Sequence, residues 1–343
     1  ALMGWLPAWC SWGFAGAAEG CARLVYEVAL RSGQWRPGSI ITGRPEPFVV
    51  AGSLVVLVLF ALSTRPRTAA KAWIAMAVVG LAAAAGATRQ KPPRLRCVFL
   101  DVGQGNATLV TWPSGRTWLV DAGPTSRYGT GRDAGRDAIL PAMRILGIDR
   151  LDAVAVSHAD LDHYGGLGWL SHRVPPSDLL LSSDSGIPSS SGFDSLRTSL
   201  VDRGWKVRRI GYGQKLSYGD GARCEVVAPG FGAAVPRNQA SLVLRFGFDT
   251  ARALIAGDAD SVSEAYQILS GAALRSQVLL VGHHGSRHSS SQDWLGLAKP
   301  EHAVLSYGRT NRYGHPHQEV LEKLAKVGAR PWRTPEGAVV VEL

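Results

Sequence analysis

Two long hydrophobic stretches without charged residues stand out in the first quarter of the chain. FVVAGSLVVLVLFALS covers residues 48–63, and WIAMAVVGLAAAAGAT covers residues 73–88. A helix of this length measures about 24 Å, a little less than the ~30 Å hydrocarbon core of a bilayer, so flanking residues would complete each span. We interpret the two stretches as transmembrane helices, with a pair of helices buried inside a water-soluble domain as the alternative.

A short basic loop lies between the two stretches and bears on their orientation. It contains Arg65, Arg67 and Lys71, and basic loops of this kind usually stay in the cytoplasm. The rest of the chain would then lie outside the cytoplasm, although the basic linker RQKPPRLR, residues 89–96, favours the opposite orientation. We expect a protein of the inner, cytoplasmic membrane whose later part lies outside the cytoplasm.

The domain boundary is expected within this proline-containing linker. Residues 1–93 are predicted to form a membrane-associated segment, and residues 94–343 a second domain. The chain begins with Ala and has no basic start or small-residue cleavage site of a signal peptide. We therefore expect it to be the end of a larger membrane protein.

From residue 95 onward, short apolar runs alternate with turns that contain glycine, proline and serine. Runs with many β-branched and aromatic residues predict strands, and stretches with helical spacing of their apolar residues predict helices. The expected elements are strands at 95–103, 107–112 and 116–123, a helix at 136–148, a strand at 151–158, a Ser-rich loop at 182–195, strands at 203–210 and 222–229, a hairpin at 241–260, a strand within 276–291, and a strand, loop and helix within 301–329. This order predicts an α/β domain.

Four side chains of the kind that bind metals lie within six positions of the stretch SHADLDHYGG, residues 157–166. They are His158, Asp160, Asp162 and His163, and they directly follow a predicted buried strand. So many ligand-type residues in one turn repel and desolvate one another unless a cation lies among them. Open α/β sheets bind ligands just beyond the carboxyl ends of their strands, so the position of this cluster also favours a functional site.

Further ligand-type residues follow other apolar runs. Asp258 ends the predicted hairpin, His283 and His284 follow the next strand, and His315 lies in the loop before the last predicted helix. A single histidine in a loop is usually solvated or structurally bonded, but here four strand ends each carry His or Asp. The four cysteines lie far apart without any C-x-x-C pair, so we expect nitrogen and oxygen ligands rather than thiolates.

The formal net charge of +10 suggests an anionic partner, but the charge is unevenly distributed. Residues 1–93 contain nine Lys and Arg against three Asp and Glu, which leaves 28 against 24 for residues 94–343. Net charge is therefore a weak argument for nucleic acid. The basic residues that are candidates for contacts with DNA phosphates are Lys206, Arg208, Arg209, Arg287, Arg309 and Arg312.

Six motifs, in their order along the chain, resemble those of a known family. They are FLDVGQGNA, SHADLDHYGGL, NQASLVLRF, GDAD, VGHHGSRHSSS and NRYGHP. The H-x-H-x-D-H motif of the metallo-β-lactamase superfamily is similar to His158-x-Asp160-x-Asp162-His163, and the whole set resembles the C-terminal domain of ComEC-type competence proteins, the inner-membrane channels for DNA uptake. The resemblance covers about residues 96–343 and implies an αββα sandwich with the site along one edge of its two sheets.

The resemblance also implies a function and a set of roles. It implies a nuclease or phosphodiesterase that uses two divalent metal ions to hydrolyse DNA. The implied substrate is the DNA strand that is not taken up. The implied metal ligands are His158 and Asp160 for one ion, Asp162 and His163 for the other, Asp258 as a bridge, and His284 or His315 to complete the second site. The implied catalytic residues are Asp162, His283 and His315, the implied substrate-binding residues are Asn238 and Ser286, and Asp121 would orient the metal-binding loop.

The sequence departs from the family pattern at three positions. Asp160 stands where the usual motif has its second His, Asn238 where a further His is expected, and Asn106 where the usual D-V-G-Q-G-D ends in Asp. Fewer imidazoles and more oxygen ligands shift the expected metal preference toward Mn²⁺ or another hard ion, while His158 and His163 still suit Zn²⁺.

Two other functions share these residues. A catalytically weak module would bind DNA or a partner beside a channel, but it would be expected to have lost Asp162, His163 or Asp258. A hydrolase of a small phosphodiester would share every ligand and differ only in its substrate groove. For Ser286, a plain turn residue is the alternative to a contact with substrate.

Overall fold

The computed structural model describes residues 92–126, 131–183, 190–230 and 235–343. The predicted transmembrane stretches at 48–63 and 73–88 lie outside these residues. Of the predicted membrane-associated segment, residues 1–93, only residues 92 and 93 are described. Within the described ranges, no helix combines the length and the apolar character that a membrane span requires.

Two β-sheets of seven strands each form the centre of the described part of the chain. The strands are β1 (Arg96–Phe99), β2 (Thr108–Thr111), β3 (Thr117–Val120), β4 (Ala153–Ala155), β5 (Asp178–Ser182), β6 (Lys206–Ile210), β7 (Lys215–Ser217), β8 (Arg223–Ala228), β9 (Val243–Phe248), β10 (Ala251–Ile255), β11 (Val278–Leu280), β12 (His302–Leu305), β13 (Arg330–Arg333) and β14 (Val339–Glu342). The first sheet has the order β14-β1-β2-β3-β4-β5-β6, and the second has the order β13-β12-β11-β10-β9-β8-β7. Every strand predicted from residue 95 onward has a counterpart among them.

Short helices connect the strands. The α-helices of the described residues are α1 (Leu140–Ile145), α2 (Leu161–Tyr164), α3 (Leu167–Leu170), α4 (Ser191–Asp202), α5 (Ser261–Leu269), α6 (Gln292–Ala298) and α7 (Gln318–Lys326). A π-helical turn at Gly135–Ile139 leads into α1, and these two elements together account for the predicted helix at 136–148.

The Ser-rich loop predicted at 182–195 is wrong over its last five residues, because α4 begins at Ser191. The preceding Ser190 caps the helix, since its hydroxyl accepts a hydrogen bond from the N–H of Phe193 at 3.2 Å. Phe193 and Leu200 of this helix are buried. Capping and packing against the rest of the domain therefore stabilise a helix in a segment whose polar composition predicted a loop.

The two sheets pack face to face around an apolar core. Residues of a strand alternate between the two faces of its sheet, and in β3 this places Trp118 and Val120 in the core between the sheets and Leu119 on the outer face. The rings of Trp112, Trp118 and Phe246 meet in this core, with centroids 5.6 to 5.9 Å apart. Aromatic residues from both sheets thus join the two layers.

Helices cover the outer faces of the sandwich. Trp294 and Leu295 of α6 and Val320 and Leu324 of α7 belong to a second buried cluster with the outward residues of the second sheet. Leu119 on the outer face of the first sheet is also fully buried, which requires a covering layer there. The predicted αββα arrangement is therefore present.

Parallel strands bring the candidate site residues to one edge of the sandwich. In the first sheet β3 runs parallel to β4, and in the second sheet β10 and β11 run parallel. Asp121 follows β3, His158 follows β4, Asp258 follows β10, and His283 follows β11. The carboxyl ends of these strands meet at one edge, as open α/β sheets commonly arrange for ligand binding.

Candidate metal centre

Asp121 holds the loop that carries the first cluster of candidate ligands. The N–H of Ser157 donates to Asp121 Oδ1 at 2.7 Å, and the Ser157 hydroxyl donates to Asp121 Oδ2 at 2.9 Å. The same Oδ2 lies 2.8 Å from Nδ1 of His163. Asp121 is fully buried, and its contacts leave Nε2 of His163 as the free ring nitrogen.

Close backbone contact behind the loop depends on two glycines. A Cβ at Gly165 would meet the backbone nitrogen of Thr125, and a Cβ at Gly166 would meet the carbonyl oxygen of Ala122. Glycine at both positions lets α2 and α3 pass close to the segment that follows β3. The loop with its four candidate ligands is therefore fixed from behind by backbone packing.

The second sheet supplies Asp258 and His284 with their own supports. The N–H of Asp258 donates to the Ser241 hydroxyl at 3.0 Å. His284 Nδ1 lies 2.9 Å from the carbonyl oxygen of Ser306, whose hydroxyl in turn donates to the carbonyl oxygen of Gly105 at 2.7 Å. A ring N–H bound to a carbonyl leaves Nε2 of His284 with its lone pair available as a ligand.

The candidate ligand atoms converge on Asp258. Its Oδ1 lies 3.2 Å from His163 Nε2 and 3.6 Å from His284 Nε2, and its Oδ2 lies 3.9 Å from His158 Nε2. The same Nε2 of His284 lies 3.5 Å from Asp162 Oδ2. Two overlapping groups have all their ligand atoms within 4.8 Å of one another, namely His158, His163 and Asp258, and Asp162, His163 and His284.

These residues fit divalent metal ions. Within the described residues, the buried atoms without a hydrogen-bond partner include Nε2 of His158, His163 and His284 and Oδ1 of Asp258. Unpaired buried polar atoms are costly, at about 1–3 kcal/mol each, and are rarely left without a purpose. Here they are the atoms that face one another at the centre, and imidazole nitrogens with carboxylate oxygens are ligands for Zn²⁺, Mn²⁺ and Fe ions.

The electrostatics of the centre agree with this fit. Burial favours a higher pKa for Asp258, but the surrounding His163 and His284 hold this pKa well below its ordinary value. Burial favours a lower pKa for His163, but the carboxylates of Asp258 and Asp121 hold this pKa well above its ordinary value. Asp258 is thus an ionised carboxylate among imidazoles, and a bound cation would replace the proton that they otherwise hold.

Asp160 differs from the other candidate ligands because an arginine binds it. Its Oδ2 lies 3.4 Å from His158 Nε2, while its Oδ1 forms an ion pair with Nη1 of Arg237. Both contacts lower the pKa of Asp160, and the contact with His158 has the larger effect. Sequence analysis did not single out Arg237, although it directly precedes Asn238 at the start of the motif NQASLVLRF.

The predicted catalytic and substrate-binding residues lie at different distances from the centre. His283 Nε2 is 3.9 Å from Asp258 Oδ2, and the Asn238 amide nitrogen is 3.3 Å from the same His283 atom. The ring of His315 lies 5.8 Å from that of His283, centre to centre, and belongs to neither ligand group. Ser286 is buried, and its hydroxyl accepts a weak hydrogen bond from the N–H of His288 at 3.4 Å.

Asn106, the third departure from the family pattern, supports the loop through its backbone. Its N–H donates to the carbonyl oxygen of Asp162 at 3.2 Å, and its own carbonyl accepts from the N–H of Gly123 at 2.8 Å. Both polar atoms of its side chain are buried and lack a hydrogen-bond partner among the described residues. Asn106 therefore supports the loop through its backbone, and its side-chain amide forms no hydrogen bond to the candidate ligands.

The candidate phosphate-binding residues fall into two sets. Arg208 and Arg209 on β6 are engaged with Asp178 and with the carbonyl oxygen of Ser182, both at 2.8 Å. The second set, Arg287, Arg309 and Arg312, lies in the loops that follow His284 and precede His315. The second set therefore adjoins the candidate centre along the chain.

The fold and the convergent ligand set define a class of protein. The chain belongs to the metallo-beta-lactamase superfamily, since a sequence model of that superfamily matches residues 100–309, more than half of the chain. Proteins of this superfamily are usually metal-dependent hydrolases. The predicted superfamily membership is therefore confirmed.

Known proteins narrow the relationship further. The chain is 28% identical to ComE operon protein 3 of Bacillus subtilis over 251 residues, which cover 71% of this chain and 32% of that protein. It is 32% identical to the competence protein ComA of Neisseria gonorrhoeae over 235 residues, which cover 68% of this chain and 30% of that protein. The chain spans about a third of the length of these relatives. The resemblance to competence proteins is confirmed.

A solved structure shows the same fold at low identity. CmlA, a diiron beta-hydroxylase from Streptomyces venezuelae, is similar with a TM-score of 0.50 and 14% identity, over 85% of this chain and 63% of that one. At this level of identity the likeness concerns the fold alone. The chemistry has to be argued from the residues of this chain.

Proposed function

We propose that residues 94–343 form a metal-dependent phosphodiesterase of a competence DNA-uptake channel. The proposed substrate of this domain is the DNA strand that the channel does not take up. The observation that carries the proposal is the pair of overlapping ligand groups that share His163. Their buried facing atoms, Nε2 of the three histidines and Oδ1 of Asp258, have no hydrogen-bond partner among the described residues. The similarity to competence proteins supports DNA as the substrate.

The ligands would be shared between two ions. His158 and Asp160 would hold one ion, Asp162, His163 and His284 the other, and Asp258 would contact both. Two divalent ions in such a site supply an activated water and stabilise the charge on the leaving oxygen of a phosphodiester. The remaining tasks, which are to bind the phosphate and to deliver a proton, fall to neighbouring side chains.

His283, His315 and Asn238 are suited to these tasks. Burial, with the nearby His284 and His283, lowers the pKa of His315 to about 4, and burial lowers the pKa of His283 as well. Both imidazoles are therefore uncharged at neutral pH in the free domain and can donate a ring N–H to a phosphate oxygen. The negative charge of a bound phosphodiester would favour protonation of His315, and the protonated ring can give its proton to the leaving oxygen. We assign His283 and Asn238 to the phosphate, His315 to proton transfer, and to Asp162 the orientation of the attacking water.

Mn²⁺ is the proposed activating ion. Three of the six proposed ligands are carboxylates, and oxygen-rich ligation favours Mn²⁺ over Zn²⁺ relative to an all-imidazole site. The three imidazoles keep Zn²⁺ as the second candidate. We also propose that residues 1–93 anchor the domain in the cytoplasmic membrane as part of a larger channel protein, with the catalytic domain outside the cytoplasm.

The test is incubation of the purified chain with single-stranded DNA, double-stranded DNA and a small chromogenic phosphodiester, each with Mn²⁺, Zn²⁺, Mg²⁺ or a chelator. We expect cleavage of DNA that is fastest with Mn²⁺ and absent with the chelator. Cleavage in excess chelator, or much faster cleavage with Zn²⁺ than with Mn²⁺ at equal metal occupancy, would contradict the proposed chemistry.

The same experiment separates the alternatives. Binding of DNA without cleavage under any metal condition would identify a binding module. Cleavage of the small ester without cleavage of DNA would identify a hydrolase of small phosphodiesters. The presence of Asp162, His163 and Asp258 in these ligand groups favours a hydrolase over a module that only binds.

A further inference from the structure

An exposed aromatic ring lies beside the candidate metal centre. Tyr313 is 51% exposed, and one face of its ring stacks on His315 with centroids 5.6 Å apart and an angle of 20° between the planes. The His315 ring in turn lies 6.1 Å from that of His284, a candidate ligand. Tyr313 is therefore the outermost ring of a series that begins at the centre.

The loop that carries Tyr313 is held rigidly. The side-chain amide of Asn311 donates to the carbonyl oxygens of Gly308 and His315, both at 2.8 Å, and its oxygen accepts from the N–H of His315 at 2.8 Å. Arg309 Nε donates to the carbonyl oxygen of Pro335 at 2.7 Å. The ring is thus held in place before any ligand arrives, which reduces the entropic cost of binding to it.

An exposed guanidinium accompanies the ring. Arg312 Nη2 donates to the Tyr313 hydroxyl at 3.0 Å, and the Arg312 guanidinium carbon lies 5.1 Å from the ring centre. Among the described residues, none of the ion pairs with a carboxylate involves Arg312. An aromatic ring next to an arginine is the combination with which proteins bind single-stranded nucleic acid, because the ring stacks on a base and the cation binds the backbone phosphate.

We propose that Tyr313 and Arg312 form a subsite for one nucleotide of single-stranded DNA, in which the Tyr313 ring stacks on the base and Arg312 contacts a phosphate of the same strand. The proposal rests on the proposed function and names its substrate class more narrowly. A base can reach the ring only after it has left the stack of a duplex, so the subsite selects single strands. It would also give DNA an advantage over a small phosphodiester that carries no base.

The test compares two oligomers that differ only in their bases. One is a short oligodeoxythymidylate, and the other is an oligomer of abasic deoxyribose units with the same number of phosphates. The full chain and its Tyr313→Ala, Tyr313→Phe and Tyr313→Trp variants are measured for binding by fluorescence anisotropy in chelator, and for kcat/KM with Mn²⁺. Tyr212→Ala is the matched control, because Tyr212 is also exposed but lies in the turn after β6.

We expect Tyr313→Ala to bind oligodeoxythymidylate roughly 5- to 150-fold more weakly, the range expected for loss of one base–aromatic stack. The Phe and Trp variants should bind like the unmodified chain or more tightly, and Tyr212→Ala should not change affinity. The abasic oligomer should bind equally to the unmodified chain and to Tyr313→Ala, because it offers no base. Arg312→Ala should weaken the binding of both oligomers and lower the dependence of affinity on salt.

Three results would overturn the subsite. One is a Tyr313→Ala variant that binds and cleaves oligodeoxythymidylate like the unmodified chain, and this result would leave the proposed function standing. The second is equal loss for the Ala, Phe and Trp variants, which would assign the effect to the hydroxyl that Arg312 binds or to the loop, and not to stacking. The third is equal loss for both oligomers, which would show that the base plays no part. If the unmodified chain cleaves no DNA, the proposed function fails, and the anisotropy measurement still decides whether the ring binds bases.

Discussion

The two halves of the candidate centre are built differently. In the inner half, formed by Asp162, His163 and His284, the Nδ1 atoms of both histidines bind buried oxygen acceptors, and the Asp162 carboxylate faces an imidazole at 3.5 Å. In the outer half, formed by His158 and Asp160, the carboxylate forms an ion pair with an arginine. Nε2 of His158 is as free of hydrogen bonds as Nε2 of His163 and His284, so the two halves differ in their carboxylates: Arg237 binds Asp160, and no ion pair with an arginine is found for Asp162 among the described residues.

This difference has a physical consequence for metal binding. A site whose ligands are held in position by buried partners binds an ion without rearrangement. A site whose carboxylate is bound by Arg237 must first lose or reorganise that ion pair. We expect the two positions to fill in two steps, with the inner half first, and the following substitutions test this comparison.

The largest effect is expected for Asp258, which contacts both halves. Replacement by Ala removes the carboxylate that lies within 3.9 Å of all three imidazoles, so both positions should lose metal and cleavage should fall by at least about 100-fold. His163→Ala removes a ligand of the inner half, so cleavage should fall to a similar extent, while His158 and Asp160 of the outer half are untouched. Metal content by elemental analysis and the rate of DNA cleavage are measured on the same preparations.

Binding of DNA should fall only modestly in these two variants, because phosphate contacts come from Lys and Arg side chains that neither substitution touches. Asp293→Ala is the control, since Asp293 is an exposed carboxylate in the first turn of α6. A variant that cleaves at the rate of the unmodified chain without bound metal would show that the two-ion interpretation is wrong.

A smaller and more selective effect is expected for Asp121→Asn. The substitution preserves the shape of the side chain but removes the charged acceptor for His163 Nδ1, and loss of such a partner typically costs 10- to 100-fold, in order of magnitude, in metal affinity or activity. Calorimetric titration with Mn²⁺ should show the tighter step weakened and the weaker step nearly unchanged. Weakening of the second step alone would reverse our assignment of the two halves.

The smallest effect is expected for Arg237→Ala, and in the opposite direction. The side chains of Arg237 and Asp160 are 40% and 34% exposed, so their ion pair contributes at most about 1 kcal/mol and its removal should tighten the outer position by no more than about fivefold. Arg237→Lys, which keeps the charge, should restore the original affinity. If instead cleavage falls while metal binding stays the same, Arg237 serves the phosphate of the substrate.

Much of the fold could be predicted because its strands carry their own signal. β1 to β4 and the β9–β10 hairpin are short apolar runs that end in glycine-containing turns, and both features follow from the geometry of a single strand. α4 was missed because its only strong local signal is the Ser190 cap in a Ser-rich segment. β14 was missed because it lies at the edge of the first sheet, where it pairs with β1 from the other end of the domain.

The sequence by itself determined which side chains could bind a metal. His158, Asp160, Asp162 and His163 fall within six positions, and their spacing depends only on the chain between them. The order of residue types after each apolar run likewise pointed to Asp258, and it left His284 and His315 as alternatives for the last ligand. These features are local, so they can be read without knowledge of the strand order.

Only the tertiary structure decided which of these side chains are oriented by buried partners, as His163 is, and which is bound by an arginine, as Asp160 is. Asp121 meets His163 across 42 positions of sequence, and Arg237 meets Asp160 across 77. Such contacts arise from the order and register of strands in the two sheets, which bring distant segments to one edge. A local pattern does not encode that register, so the difference between the two halves becomes visible only when the sheets are assembled.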